Sequence, residues 1–187
     1  MSSPKDTRPD PAEVRRLYEA KVEAELAQAD REVPGGVELG SGGDLFAHIV
    51  LLKGLPGPAE SAGGGALSGP DGDAARKALA ALGIEDIAVF SALTRPESSA
   101  EPESTARRVR RIVEAIDPVA VVALDADAAA DLARAFGVRR IPFGKPVQSL
   151  GRTLLAVDGL EASLVEPARK RRVWAQFKRL QIGRSLL

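Results

Sequence analysis

One glycine-rich segment and four carboxylates are the parts of this sequence best suited to chemistry. The segment from Lys53 to Gly72 reads KGLPGPAESAGGGALSGPDG. Glycines let backbone N–H groups approach a ligand closely, often an anion near the start of the following helix. Carboxylates act as general acids or bases, or stabilise a developing positive charge. Those predicted to lie near the carboxyl edge of a sheet are Glu60, Asp71, Asp73 and Asp158.

Other reactive residues are scarce, which narrows the chemistry further. The chain has no cysteine, and this excludes disulfides, cysteine-ligated zinc, iron–sulfur clusters and thiol catalysis. Its single histidine, His48, excludes any site that needs two imidazoles, and its position inside a predicted strand favours a structural role. We therefore expect carboxylates and hydroxyls to carry the chemistry, with no metal and no cofactor.

Length and composition are typical of one globular domain. The chain has 187 residues, of which 44% are apolar and 28% charged. We expect a disordered N-terminus at 1–10, a single domain at 11–182 and a tail at 183–187. The 26 basic and 26 acidic residues cancel, so net charge predicts neither a nucleic-acid nor a membrane partner. Because no stretch approaches the roughly 20 apolar residues of a membrane span, and no signal peptide is recognisable, we expect a cytoplasmic protein.

Hydrophobic periodicity predicts strands that alternate with helices. Buried strands are predicted at 46–52, 86–93, 118–124 and 152–159, and helices at 11–31, 71–82, 105–116, 125–137 and 167–180. Nearly continuous apolar strands of this kind are typical of a parallel sheet covered on both faces. We therefore expect an α/β fold with three layers, α/β/α, around a central four-stranded parallel sheet. Ligands bind at the carboxyl ends of such strands, where the glycine-rich segment leaves the first strand.

The glycine-rich segment resembles the first motif of the uracil-DNA glycosylase superfamily, in its thermostable bacterial branch. That motif, GEAPGxxEDxxGxPFVGxAG, aligns without a gap, and its own proline, glutamate and glycines fall on Pro56, Gly57, Glu60, Gly64, Gly69 and Gly72. Residues 116–132 and 166–180 are similar to the family's third-strand segment and its closing helix. The resemblance implies a uracil-DNA glycosylase-like fold. It also implies a DNA or base pocket formed by Gly54, Leu55, Pro56, Gly57, Glu60, Leu67, Gly69 and Phe90.

At the positions that match the family's chemical groups, this sequence has other residues. Gly54 stands at the catalytic carboxylate, Leu67 at the aromatic that stacks on the flipped base, and Phe90 at the asparagine that reads the pyrimidine. The family's late histidine motif falls at residues 157–159. Losing one such donor raises a reaction barrier by about 2.7 to 4 kcal/mol. The resemblance therefore implies binding of uracil-containing, abasic or single-stranded DNA, with weak or no base excision.

Replacement catalysis has two candidates, Asp158 and Glu60. Asp158 precedes a glycine at a predicted strand end, and Asp-Gly is also a common turn pair. Glu60 has a comparable alternative as a solvated loop residue. We retain both as candidate catalytic residues.

Two basic clusters suit phosphate contact, at residues 107–111 and in the last helix. We expect the phosphate contacts to come from Arg169, Lys170, Arg171 and Arg172, although a solvated helix face is the common alternative for a charge run. The partner we expect is DNA, with no membrane and with room for a DNA repair or replication protein. Two other interpretations stay open: an enzyme acting on a nucleotide or phosphorylated metabolite, and a non-catalytic interaction scaffold in DNA repair.

Overall fold

The computed structural model describes residues 10–33, 39–84, 88–96 and 101–180. Its helices are α1 (Pro11–Asp30), α2 (Pro58–Ser61), α3 (Pro70–Ala80), α4 (Pro102–Ile116), α5 (Ala126–Ala135), α6 (Leu160–Ser163) and α7 (Pro167–Phe177). Its strands are β1 (Ser41–Gly43), β2 (Ile49–Lys53), β3 (Val89–Leu93), β4 (Ala120–Ala123), β5 (Val147–Ser149) and β6 (Arg152–Ala156). Apart from Asp10, the predicted disordered N-terminus and the predicted tail lie outside the described residues. None of the helices described here has the length and apolar character needed to cross a membrane.

The strands form one mixed sheet in the order β1-β3-β2-β4-β6-β5. The four inner strands pair in parallel, and the short strands β1 and β5 pair antiparallel at the two edges. The α/β class is confirmed, whereas the expected purely parallel sheet of four strands is corrected to a mixed sheet of six. The edge strands escaped prediction because they are three residues long, SGG and VQS, and contain no apolar run.

Helices cover both faces of the sheet, because alternate residues of each buried strand point to opposite sides. Val50 and Leu52 of β2 join a core with side chains of α1, α4 and α5. Ile49 and Leu51 join the other core with side chains of α3, α6 and α7. All five residues of β2 are buried, which is why the segment reads as a continuous apolar run.

Several element boundaries differ from those predicted. The first inner strand starts later than residue 46 and includes Lys53, a polar residue that the structure buries. The glycine-rich segment contains the short helix α2, which the sequence did not predict. Helix α4 begins at Pro102 because the Glu101 side chain accepts hydrogen bonds from two backbone N–H groups of its first turn. Helix α7 ends at Phe177, three residues before the predicted end.

Candidate functional site

A crevice forms between the carboxyl ends of β2 and β4, where the connections leave the sheet in opposite directions. Helices α2 and α3 follow β2, and α3 packs on one face, whereas α5 follows β4 and packs on the other. Such a topological switch point is where open α/β sheets bind ligands. The Gly54 backbone N–H donates to Asp125 Oδ2 across this crevice over 2.8 Å. Asp125 also caps α5, since its Oδ1 accepts from the Ala128 N–H at 2.8 Å.

Position 54 has no room for a side chain. A Cβ placed there would lie 2.6 Å from the Asp127 Cβ and 2.7 Å from Asp125 Oδ1. Two carboxylate side chains from the β4–α5 junction thus fill the space beside Gly54. Burial raises the pKa of Asp125, and the backbone hydrogen bonds from Ala128 and Gly54 oppose that rise. This pair is absent from the residues predicted from the sequence, although Asp-Ala-Asp directly follows a predicted strand.

The end of β3 is fastened to α5 by a compact ion pair. Arg95 donates from Nε and Nη2 to the two oxygens of Asp131, at 2.8 and 2.6 Å. Thr94 donates its hydroxyl to the same carboxylate at 2.6 Å. The hydrogen bond to Asp131 raises the pKa of Arg95 above its ordinary value. The Arg95 guanidinium is therefore already engaged by a carboxylate.

Lys53, the last residue of β2, lies buried among three carboxylates. Its Nζ is 2.7 Å from Asp71 Oδ2, 3.3 Å from each oxygen of Glu60 and 3.1 Å from Glu161 Oε2. Burial alone lowers the pKa of Lys53, but hydrogen bonds to Asp71 and Glu161 and the nearby charges outweigh it, so the pKa lies above its ordinary value. The amine stays protonated and is no nucleophile. Among the described residues, no group of three or more histidine or acidic side chains is arranged to hold a metal ion.

Glu60 organises the glycine-rich segment from within. Its carboxylate accepts from the Gly57 and Leu67 backbone N–H groups, both at 3.0 Å, in addition to Lys53. A Cβ at Gly57 would lie 2.6 Å from the Lys53 Nζ, so a larger residue there would displace side chains of the ion cluster. These N–H groups are the ones that a bound anion would use. The geometry therefore favours a structural role for Glu60 over a catalytic one.

The structure gathers some of the predicted pocket residues and separates others. Gly54, Leu55, Pro56 and Gly57 follow β2 together, and the Leu55 side chain is 43% exposed there. Gly69 caps the N-terminus of α3. Leu67 and Phe90, however, are buried in cores on opposite faces of the sheet. Leu67 reaches its core through a left-handed backbone with φ of 56°, and Phe90 faces the other side through strand alternation.

Asp158 lies just beyond β6 and connects that strand to α7. Its backbone N–H donates to Gln176 Oε1 at 2.8 Å, and its Oδ2 lies 3.5 Å from Arg172 Nη2. Gly159 follows with a φ of 68° and begins the turn into α6. The residue therefore occupies a turn, as its Asp-Gly pair indicated, and its side chain remains one-third exposed.

The predicted phosphate-contact residues line the first two turns of α7. Lys170, Arg171 and Arg172 are exposed, and Arg169 is partly buried beside Glu166, with 3.4 Å between Arg169 Nε and Glu166 Oε2. Within the described part of the chain, Lys170 and Arg171 form no ion pair. We call Arg169 to Arg172 the basic surface of α7.

The arginines of the second basic cluster, at residues 107–111 of α4, are engaged by protein groups. Arg108 is fully buried and donates to Asp30 Oδ1 at 2.9 Å and to the carbonyls of Leu39 and Leu93. The other three arginines also meet carboxylates: Arg107 contacts Glu32, Arg110 contacts Glu114, and Arg111 contacts Glu25 and Glu32. This cluster holds α1 against α4, and these contacts favour a structural role over the phosphate contact expected from the sequence.

No model of a known protein family and no curated protein matches this chain. The likeness of the glycine-rich segment to the uracil-DNA glycosylase motif therefore stays a prediction.

Proposed function

We propose that this chain is a DNA-binding protein with a uracil-DNA glycosylase-like fold, which contacts the phosphate backbone through the basic surface of α7 and excises bases weakly or not at all. One observation carries the proposal. Residues 166–180 contain six basic side chains and one acidic one, in a chain whose total charge is zero. Most of these cations face solvent, and exposed arginines and lysines on one helix suit a phosphate backbone.

The position of this helix supports the proposal. The Arg172–Asp158 contact joins α7 to the end of β6, and the Glu161–Lys53 contact joins α6 to the end of β2. The basic surface therefore borders the carboxyl edge of the sheet and the glycine-rich segment. Leu55 presents an exposed apolar side chain at that edge. Apolar side chains of this kind insert between bases in many DNA complexes.

Weak or absent excision follows from how the carboxylates are used. Base release needs negative charge or an oriented water near the sugar, and a donor for the departing base. Glu60 is committed to Lys53 and two backbone N–H groups, and Asp125 accepts from two others. Asp158, with its partly exposed carboxylate, is the candidate left for residual catalysis.

An enzyme acting on a nucleotide or phosphorylated metabolite fits the site less well. Such a site would use the N–H groups of the glycine-rich segment and a free cation. Glu60 already takes the N–H groups of Gly57 and Leu67, and three carboxylates surround Lys53. The Glu60 carboxylate thus occupies the N–H groups that a phosphate would need.

Titration with fluorescent oligonucleotides at several salt concentrations tests DNA binding. Single-stranded and duplex forms are compared, each undamaged, with uracil and with an abasic site. We expect affinity to fall linearly with salt on logarithmic axes, and the double variant R171A/R172A to reduce that slope by about 2. The control R16A/K21A removes the same charge from exposed positions of α1, on the opposite face of the sheet, and should leave the slope unchanged.

The same oligonucleotides test excision when they are treated with alkali after incubation. Retention of DNA without strand scission is the expected result. Efficient uracil release would contradict the weak-excision part of the proposal. Micromolar nucleotide affinity without salt-sensitive DNA binding would overturn the proposal as a whole.

A further inference from the structure

A groove of about 480 Å³ runs between α3 and the α6–α7 pair, on the outer side of one core. Its floor and walls are mostly apolar and include Ala74, Ala78, Leu164, Val173, Trp174 and Phe177. Leu164 is partly exposed, and the adjacent Val165 is 85% exposed. Apolar side chains that gather at one open groove are typical of a surface that another molecule covers.

Most of the charges on the groove are positive. Lys77 of α3 and Lys170 of α7 line it from the two helices. Lys178 adds a third cation, with its ammonium 5.8 Å from the centre of the Trp174 ring. The one acidic side chain in the lining, Asp73, is paired with Arg76 at 2.6 Å. The occupant that complements this surface is apolar along its centre and acidic along its sides.

We propose that this groove binds an acidic amphipathic helix of a partner protein. Helices α3 and α7 each have 11 residues, so each wall is about 16 Å long, or three helical turns. A third helix can lay its apolar stripe between two such walls, as amphipathic helices do in hydrophobic grooves. Its flanking carboxylates then meet Lys77 and Lys170.

This groove shares Lys170 with the basic surface of α7 but does not include Arg171 or Arg172. Lys170, Trp174 and Lys178 recur every four residues and so share one side of α7. Arg171 and Arg172 are rotated away from that side by about 100° and 200°. One helix therefore presents two surfaces that share Lys170, and changes at Ala78 or at Arg171 and Arg172 affect one surface without the other.

Trp174 is the chain's one tryptophan, so its fluorescence reports directly on the groove. The probe is a capped peptide of about 15 residues without tryptophan, with leucines at helical spacing on one face and glutamates on both flanks. We expect a saturable change in Trp174 emission. The double variant K77E/K170E should weaken binding at least about tenfold, because both exposed rim charges are reversed.

Two controls and a second groove variant accompany this test. R16E/K21E, with the same charge reversal on exposed residues of α1, should bind the peptide normally. Ala78→Glu places a carboxylate inside the groove and should also block binding, and its fold is checked by circular dichroism. If that variant misfolds, the exposed Lys77 and Lys170 positions still provide the test. A scrambled peptide of equal composition should bind much more weakly, since it has no apolar face.

The proposal fails if Trp174 emission does not respond to the peptide, if K77E/K170E binds as the unaltered chain does, or if the scrambled peptide binds equally well. A response to dodecanoate but not to the peptide would assign the groove to lipids and overturn it. Concentration-dependent self-association that the peptide cannot compete would assign the groove to a second copy and overturn it too. None of these outcomes depends on DNA binding.

Discussion

Helices α4 and α7 carry similar basic sequences and use them in opposite ways. The run RRVRR in α4 and the run RKRR in α7 each place four cations within five residues. The cations of α4 are held by carboxylates, one of them in the core, whereas most of those on α7 face solvent.

The difference comes from a third element, α1. Its C-terminal half and the turn after it supply Glu25, Asp30 and Glu32, which reach the arginines of α4. Helix α7 has two nearby carboxylates, Glu166 and Asp158, for its four cations. A basic run therefore stays exposed to solvent only where the fold brings few acids to it.

The largest effect on the free energy of unfolding is expected from a substitution at Arg108 of α4. Arg108→Met should lower the free energy of unfolding by about 3 to 5 kcal/mol, because it leaves the buried carbonyls of Leu39 and Leu93 and the carboxylate of Asp30 without their donor. Urea denaturation measures the loss. Arg110→Met, at a one-third-exposed position of the same helix, is the control and should cost far less. A loss below about 1 kcal/mol at Arg108 would contradict the anchoring role assigned to α4.

A smaller, pH-dependent effect is expected at Glu32. Hydrogen bonds from Arg107 and Arg111 lower the pKa of Glu32, so its contribution to stability is present above the ordinary glutamate pKa and is lost as the pH falls through the lowered value. Glu32→Gln should therefore cost about 0.5 to 1 kcal/mol at pH 7 and progressively less below about pH 4. Urea unfolding curves of both proteins at pH 7 and below about pH 4 measure this difference in the free energy of unfolding. The exposed Glu23→Gln on α1 should show no such dependence.

A change at Asp158 tests the opposite case, in which one of the few acids beside α7 is removed and a cation is freed. Asp158→Asn releases Arg172 and should raise DNA affinity about twofold to fivefold, most clearly at low salt. Fluorescence titration measures the change, with Glu23→Gln as the control on the opposite face. If DNA affinity stays the same while residual base release disappears, Asp158 acts in catalysis and does not reduce DNA affinity by pairing with Arg172.

The smallest expected effect is the stability of the α7 double variant. R171A/R172A should unfold within about 0.5 kcal/mol of the unaltered chain, because both side chains are exposed and neither fills the core. Urea denaturation gives the value. A loss above about 2 kcal/mol would mean that these cations hold the fold together as those of α4 do.

Much of the fold could be predicted from local patterns. The runs around Val50, Val121 and Leu154 have the continuous apolar character of strands buried on both faces, so the α/β class and the inner strands were recognisable. The glycine-rich segment and Asp158 were likewise predicted at the carboxyl edge, and both lie there. Edge strands β1 and β5 were missed because their pairing is set by neighbouring strands and not by their own residues.

The sequence by itself determined the alternation of strands and helices, because hydrophobic periodicity is a property of consecutive residues. Only the tertiary structure decided which charged side chains form ion pairs within the protein. Lys53 meets carboxylates from positions 60, 71 and 161, and Arg108 of α4 meets Asp30 at the end of α1. Ion pairs between distant positions leave no periodic trace in the chain. Similar basic runs can therefore stabilise a core or remain exposed to solvent, and their three-dimensional neighbours decide which.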